Sequence, residues 1–178
     1  MYTVVVLAEQ ALSAGDAQEV VSLHEAIEEP RHYHVVIPCE DAAAGVEATL
    51  GTLGASDVLA PAAAYGVPPE VDVEQLQHEI NEHAEREVEA SVAALQALGH
   101  SADGKYSCGD AVDVLESSVQ ALNADEVIVM TRPHVIAEFL HLDWSSRARR
   151  RLGVPVLHLI EHEPLDAEAG APEGITGA

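Results

Sequence analysis

Histidines, two cysteines and a run of arginines are the residues here that could do chemistry, and spacing decides which chemistry. His32-x-His34 places two imidazoles on one face of a strand, and His158-x3-His162 does so if its strand runs that far. A structural or catalytic metal needs three or four such ligands, and no Cys or carboxylate set stands near either pair at a recognised spacing. His78 and His83, five apart on a helix, are separated around its axis. His134 and His141 read as rim residues, so no metal site is expected. No catalytic residue is expected either: there is no G-x-S-x-G elbow, and Ser145-Ser146 follow Trp144 inside a helix. Cys39 and Cys108 are only two thiols in a long chain, which implies no disulfide framework. They read as small core or rim residues and not as a redox pair. Arg147, Arg149, Arg150 and Arg151 gather near a helix end, where they satisfy carbonyls and neighbouring carboxylates; the alternative is a docking patch.

The elements that must position these groups alternate. Thr3–Ala8 is a continuous apolar run, as expected of a central parallel strand. Ser13 or Asp16 caps a helix with Ala17, Val20, Val21, His24 and Ile27 on one face, Asp16 with Glu19 approximating a capping box, and Pro30 ends it. Tyr33–Ile37 is the second strand. From Asp41 to Asp72 the chain turns Ala-, Gly- and Pro-rich, too long for an ordinary loop, and reads as an insertion. Glu70–Leu98 is the longest helix, with Val73, Leu76, Ile80, Ala84, Val88, Val92 and Leu95 inward and Glu74, Glu82, Glu85 and Glu89 outward. Lys105–Cys108 is a weak edge strand, interrupted nearby by Gly104.

The stretch Cys108–Ile160 repeats the alternation. Asp110 caps a helix carrying Val112, Leu115, Val119 and Leu122, and Val127–Met130 is a strand covered on both faces. Ile136, Leu140, Trp144 and Ala148 form the stripe of another helix, which Gly153 stops; Pro155 opens the last strand, Val156–Ile160. The predicted domain is 1–162 with an insertion at 41–72, followed by an acidic tail at 163–178 expected to be disordered. Five strands and four helices in alternation predict an α/β fold with a parallel sheet covered on both sides.

The formal net charge is −23, and Lys105 is the only lysine. Such a field repels phosphate backbones and anionic lipid, which excludes nucleic acid and membrane surfaces as natural partners. No apolar run reaches the roughly 18–20 residues of a membrane helix, and the first residues lack a signal peptide's basic region, so a cytoplasmic protein is expected. The acidic, lysine-poor composition suits concentrated salt, where counter-ions screen self-repulsion; a biased codon usage in a merely acidic protein is the other reading.

Gly109-Asp110, then Ala124-Asp125-Glu126-Val127-Ile128-Val129, then Pro155-Val156-Leu157 stand in the order and spacing of three landmarks of the universal stress protein family, which Met1–Glu161 resembles apart from the insertion. The resemblance implies a Rossmann-like sheet, similar to the adenine nucleotide alpha hydrolase fold, of strand order 3-2-1-4-5, with the ligand crevice at the carboxyl ends of strands 1 and 4. It also implies a homodimer. Val156, Leu157, His158, Leu159 and Ile160 would be an aliphatic edge strand, a pairing liability that a two-fold partner's own last strand would cover.

Many members of that family bind ATP through a loop of pattern G-x2-G-x9-G-[ST] after the fourth strand, where bare backbone N–H groups approach phosphate. Here Met130 and Pro133 stand for the first two glycines, and Asp143 and Trp144 for the Gly and Ser or Thr. Pro133 lacks an N–H, Asp143 sets a carboxylate beside phosphate, and Trp144 has no hydroxyl. The equivalent crevice would be Glu9, Ile37, Met130, Thr131, Arg132, Pro133, Asp143 and Trp144, with Glu9 in place of a family Asp. The resemblance therefore implies a stress-associated or regulatory binding module with no ATP in the usual loop and no cofactor. Two alternatives stay open: a nucleotide-handling enzyme taking AMP or ATP at Glu9, Thr131 and Arg132, and a module that binds an unknown protein partner through the insertion or the arginines.

Overall fold

The computed structural model describes residues 1–39, 72–131 and 150–160. The core strand β1 (Tyr2–Ala8) carries Val4, Val5 and Val6, all fully buried, so neither of its faces meets water. It pairs in parallel with β2 (Arg31–Pro38) on one side and β4 (Glu126–Thr131) on the other. Outside these lie β3 (Ser101–Ser107) and β5 (Val156–Ile160), giving the sheet order β3-β2-β1-β4-β5 that the resemblance implied.

The pleat sorts side chains into two cores. Val4, Val6, Ala8, Tyr33, Val35, Ile37, Ile128 and Met130 pack beneath α1 (Ala14–Ser22) and α2 (Val73–Ala97). On the other face Val5, Leu7, Val36, Val127 and Val129 pack with Leu115 and Val119 of α3 (Ala111–Leu122) and with Leu152. Each fully buried aliphatic side chain contributes about 1.5–3 kcal/mol. A polar link joins the start of α1 to α2 within their layer: Leu12 N donates to the Ser91 hydroxyl (2.9 Å), which donates to the Glu87 carbonyl (2.7 Å).

The caps follow the sequence closely but not everywhere. Ser13 caps α1, and its box partner is Asp16, three residues on, in place of the expected Asp16–Glu19 pair. Helix α1 ends at Ser22, well before Pro30, and residues 23–26 continue as turns. Asp72 caps α2 by accepting from Gln75 N (3.1 Å), and Asp110 caps α3 by accepting from the Val112 and Asp113 amides. The acidic side chains Glu74, Glu82, Glu85 and Glu89 of α2 are exposed, as expected.

Strand β3 corrects the sequence reading most. It begins at Ser101 and runs through Gly104, which does not interrupt it. A Cβ there would stand 2.8 Å from the Val35 carbonyl oxygen and 2.9 Å from Val88 Cγ1, so the glycine lets the edge strand sit tightly between β2 and α2. The rest of the expected insertion apart from Asp72, the stripe Ile136–Ala148 and the tail fall outside the described residues.

Candidate functional site

At the carboxyl edge of the sheet, the backbone brings together four of the residues expected there. Glu9 follows the last residue of β1; Ile37 lies near the end of β2; Met130 and Thr131 end β4. Ala8 pairs with Met130 across the β1–β4 junction, where the strand order reverses and open parallel sheets place their ligands. Arg132, Pro133, Asp143 and Trp144 lie outside the described residues.

The side chains are less exposed to a ligand than their positions suggest. Ile37 and Met130 are fully buried in the core beneath α1 and α2. Thr131 is 1% exposed, and its hydroxyl lies 2.7 Å from Nε2 of His158 on the neighbouring strand. That contact was missed in the sequence because it depends on the parallel register, which sets Val129 beside His158 and Thr131 beside Ile160. Among the described residues, no strand pairs with the outer side of β5. Ile160 is 48% exposed there, while Leu157 and Leu159 lean on the core beneath α1 and α2.

The same edge holds a bond that the sequence reading rejected. Cys39 and Cys108 form a disulfide, with Cα atoms 4.5 Å apart and 69 residues between them in sequence. Their parallel strands explain it. Pro38 pairs with Ser107, and Cys39 N donates to the Ser107 carbonyl (3.1 Å), which seats the next residues side by side. The sequence reading set a bond between these two thiols below two ordinary small residues; the register of Ser101–Ser107 against β2 decides for the bond.

Several other histidines among the described residues have polar neighbours. On the face that α3 covers, His34 Nδ1 bonds Asp103 Oδ1, and His32 reaches Ser101 Oγ (2.9 Å) and the same Asp103 oxygen (3.4 Å). Among the described residues, no group of three or more His, Cys, Asp or Glu is arranged to hold a metal ion. At the amino edge, His24 is 2% exposed; it donates from Nδ1 to the Val20 carbonyl (3.0 Å) and sets Nε2 3.2 Å from Glu126. Tyr2 donates to that carboxylate (3.0 Å); burial, then the Glu126 bond and charge, push its phenol up to about 12. Burial also raises Tyr33, and burial together with the Arg31 charge lowers His100. Arg151 forms ion pairs with Asp113 and Glu116 (both 2.7 Å), as expected of that residue; Arg147 and Arg149 lie outside the described residues.

Two surface grooves lie away from the β1–β4 junction. One, beside the edge strand, is lined by Val88, Gly104, Lys105 and Tyr106; the other, at the amino edge, by Pro30, Arg31, Gly99 and His100. No helix among the described residues is long and apolar enough to cross a membrane.

Sheet order and element order define a Rossmann-like α/β protein with the fold of universal stress proteins. Solved structures agree over nearly the whole chain. The hypothetical protein MJ0577, a test case for assigning biochemical function from structure, matches with a TM-score of 0.60 at 11% identity, covering 91% of this chain and 97% of its own. A universal stress protein family member from Burkholderia pseudomallei matches at 0.51 and 15% identity, over 89% and 96%. One from Arabidopsis thaliana, with AMP bound, matches at 0.51 and 12% identity, over 94% and 96%. No family model matches the sequence, and no curated protein does.

Proposed function

We infer that this chain is a universal-stress-type regulatory binding module, one domain over 1–162 with an insertion at 41–72, homodimeric through β5, that does not hold ATP through the usual loop. The observation that carries the reading is Met130. Where the family pattern has its first phosphate-loop glycine, this chain has a side chain that is 0% exposed and packed with Ala8, Ile37 and Leu159, so the position serves the core. Pro133 without an N–H and Asp143 with a carboxylate support the same reading from the sequence.

A thermal-melt titration with ATP, ADP and AMP, with and without magnesium, at low and high potassium chloride, tests it. A ligand that binds only the native state raises stability by about 2.7 kcal/mol at 100 times its dissociation constant. No nucleotide should raise the midpoint, while salt should raise it strongly, because screening relieves a net charge of −23. A nucleotide-dependent rise refutes the reading and favours the second one, in which AMP or ATP is handled at Glu9, Thr131 and Arg132. AMP on a solved protein of this fold is what supports that alternative. Arg132→Ala then separates the two, abolishing a nucleotide response and leaving partner binding intact.

For the dimer, Ile160→Lys is the informative change. Ile160 is exposed, whereas a charge at Leu157 would damage the core it packs against. The variant should sediment as a monomer with an unchanged circular dichroism spectrum; a dimer of unchanged affinity removes β5 as the interface.

A further inference from the structure

Two facts about the Cys39–Cys108 disulfide point to more than a staple. Cys108 is exposed on the loop between β3 and α3, beside Gly109, while Cys39 is half-buried against the core beneath α1 and α2. One sulfur can therefore be reached from solvent without opening the fold. The cysteines are also held together without their bond: the β2–β3 ladder runs in register from His32–Ser101 to Pro38–Ser107, and the Cys39 amide extends it by one hydrogen bond. Breaking the disulfide leaves two thiols side by side, so its re-formation is intramolecular.

We propose that Cys39–Cys108 is a reversible thiol–disulfide exchange site, reduced in the folded state by small dithiols. A thiolate of the dithiol attacks the exposed Cys108 sulfur, forming a mixed disulfide, and Cys39 leaves as a thiolate that takes a proton from water. The second thiol of the reagent, as its thiolate, attacks the reagent's own sulfur in that mixed disulfide. Cys108 is released and protonated, and the reagent departs as its disulfide. The protein gains two electrons and two protons, and the dithiol loses the same. Gln77 assists, since its Nε2 lies 3.9 Å from Cys108 Sγ and donates an amide N–H to the sulfur that carries charge in the second step. This proposal does not depend on nucleotide or partner binding at the β1–β4 junction.

The test uses the whole air-oxidised chain without denaturant. Dithiothreitol should release two thiols per chain, counted with a chromogenic disulfide reagent, at a rate proportional to its concentration and with the far-ultraviolet circular dichroism unchanged. After the dithiol is removed, diamide should consume both thiols at a rate independent of protein concentration, leaving no cross-linked chains on a non-reducing gel. Cys39→Ser should show one thiol, titratable at once in the native protein. Thiol release only at denaturant concentrations that unfold the chain, or loss of helical signal on reduction, overturns the proposal and leaves a structural staple. Two free thiols that diamide joins only between chains would also overturn it.

Discussion

Replacing Gly104 by alanine sets two opposing effects against each other. Alanine narrows the unfolded ensemble, which by itself stabilises a protein by about 0.4–1 kcal/mol. In the folded chain the new methyl would meet the Val35 carbonyl oxygen at 2.8 Å, Val88 Cγ1 at 2.9 Å and Val35 Cβ at 3.2 Å. Val88 can give by a few tenths of an ångström, but the Val35 oxygen is fixed in the ladder between β2 and β3. The edge strand must therefore move outward, and overpacking of this kind costs about 1–3 kcal/mol. The clash wins, with a net loss of about 1–2 kcal/mol, or roughly 2–8 °C in midpoint for a chain of this size. Urea unfolding followed by circular dichroism measures it, with Gly109→Ala as the control, because the nearest atom to a Cβ there is 3.9 Å away. The control should be neutral or slightly stabilised. An unchanged or raised midpoint for Gly104→Ala would refute the close approach of β3 to β2 and α2.

Joining residues 69 apart restrains the unfolded chain by about 4 kcal/mol in the loop-entropy description, so Cys39→Ser/Cys108→Ser should unfold at a correspondingly lower urea concentration than the oxidised protein. Equal midpoints would show that the bond does not form. Folding favours the neutral phenol of Tyr2, so its contribution is complete below pH 10 and is lost as pH rises from 10 to about 12; Tyr2→Phe should flatten that part of the alkaline melting curve, with the contribution of Tyr33, also raised, remaining. The His100 imidazole is held below its usual value, so its contribution is complete above pH 6.5 and is lost as pH falls through and below it; His100→Gln should reduce the acid-side loss in the same melts. Asp110→Ala removes acceptors from the Val112 and Asp113 amides and should cost about 1 kcal/mol in urea unfolding.

The sheet was legible because parallel strands buried on both faces leave unbroken apolar runs, and Thr3–Ala8, Tyr33–Ile37 and Val127–Met130 are such runs. The edge strand was harder to read. Ser101–Ser107 has alternating and mostly exposed positions, and its one tight contact appears in the sequence only as a glycine. The edge position of the crevice residues followed from strand order, yet their side-chain directions needed parity and register together. Ile37 and Met130 share a face with Val4 and Val6, so they fill the core. Pairings across strands were hard to read for the same reason: Thr131 with His158 and His34 with Asp103 are each fixed by register, which no stretch of sequence carries alone, and the Cys39–Cys108 pair was considered but set aside.

The proposed exchange site and the proposed binding crevice would share one edge of the sheet without sharing residues. The disulfide bridges β3 and β2, and the topological switch point lies between β1 and β4. At about 4.8 Å per strand their midpoints are roughly 10 Å apart, beyond direct contact. The link between them within the sheet is the row formed by Ile37, Ala8 and Met130, with Ile37 two residues before Cys39 and all three fully buried. A close-packed row of this kind gives little when one end is released. Reduction of Cys39–Cys108 should therefore leave the β2–β3 ladder in register and the β1–β4 junction in shape. A module built this way can carry a redox state at one end of the edge and a binding surface at the other, and either assignment can fail without taking the other with it.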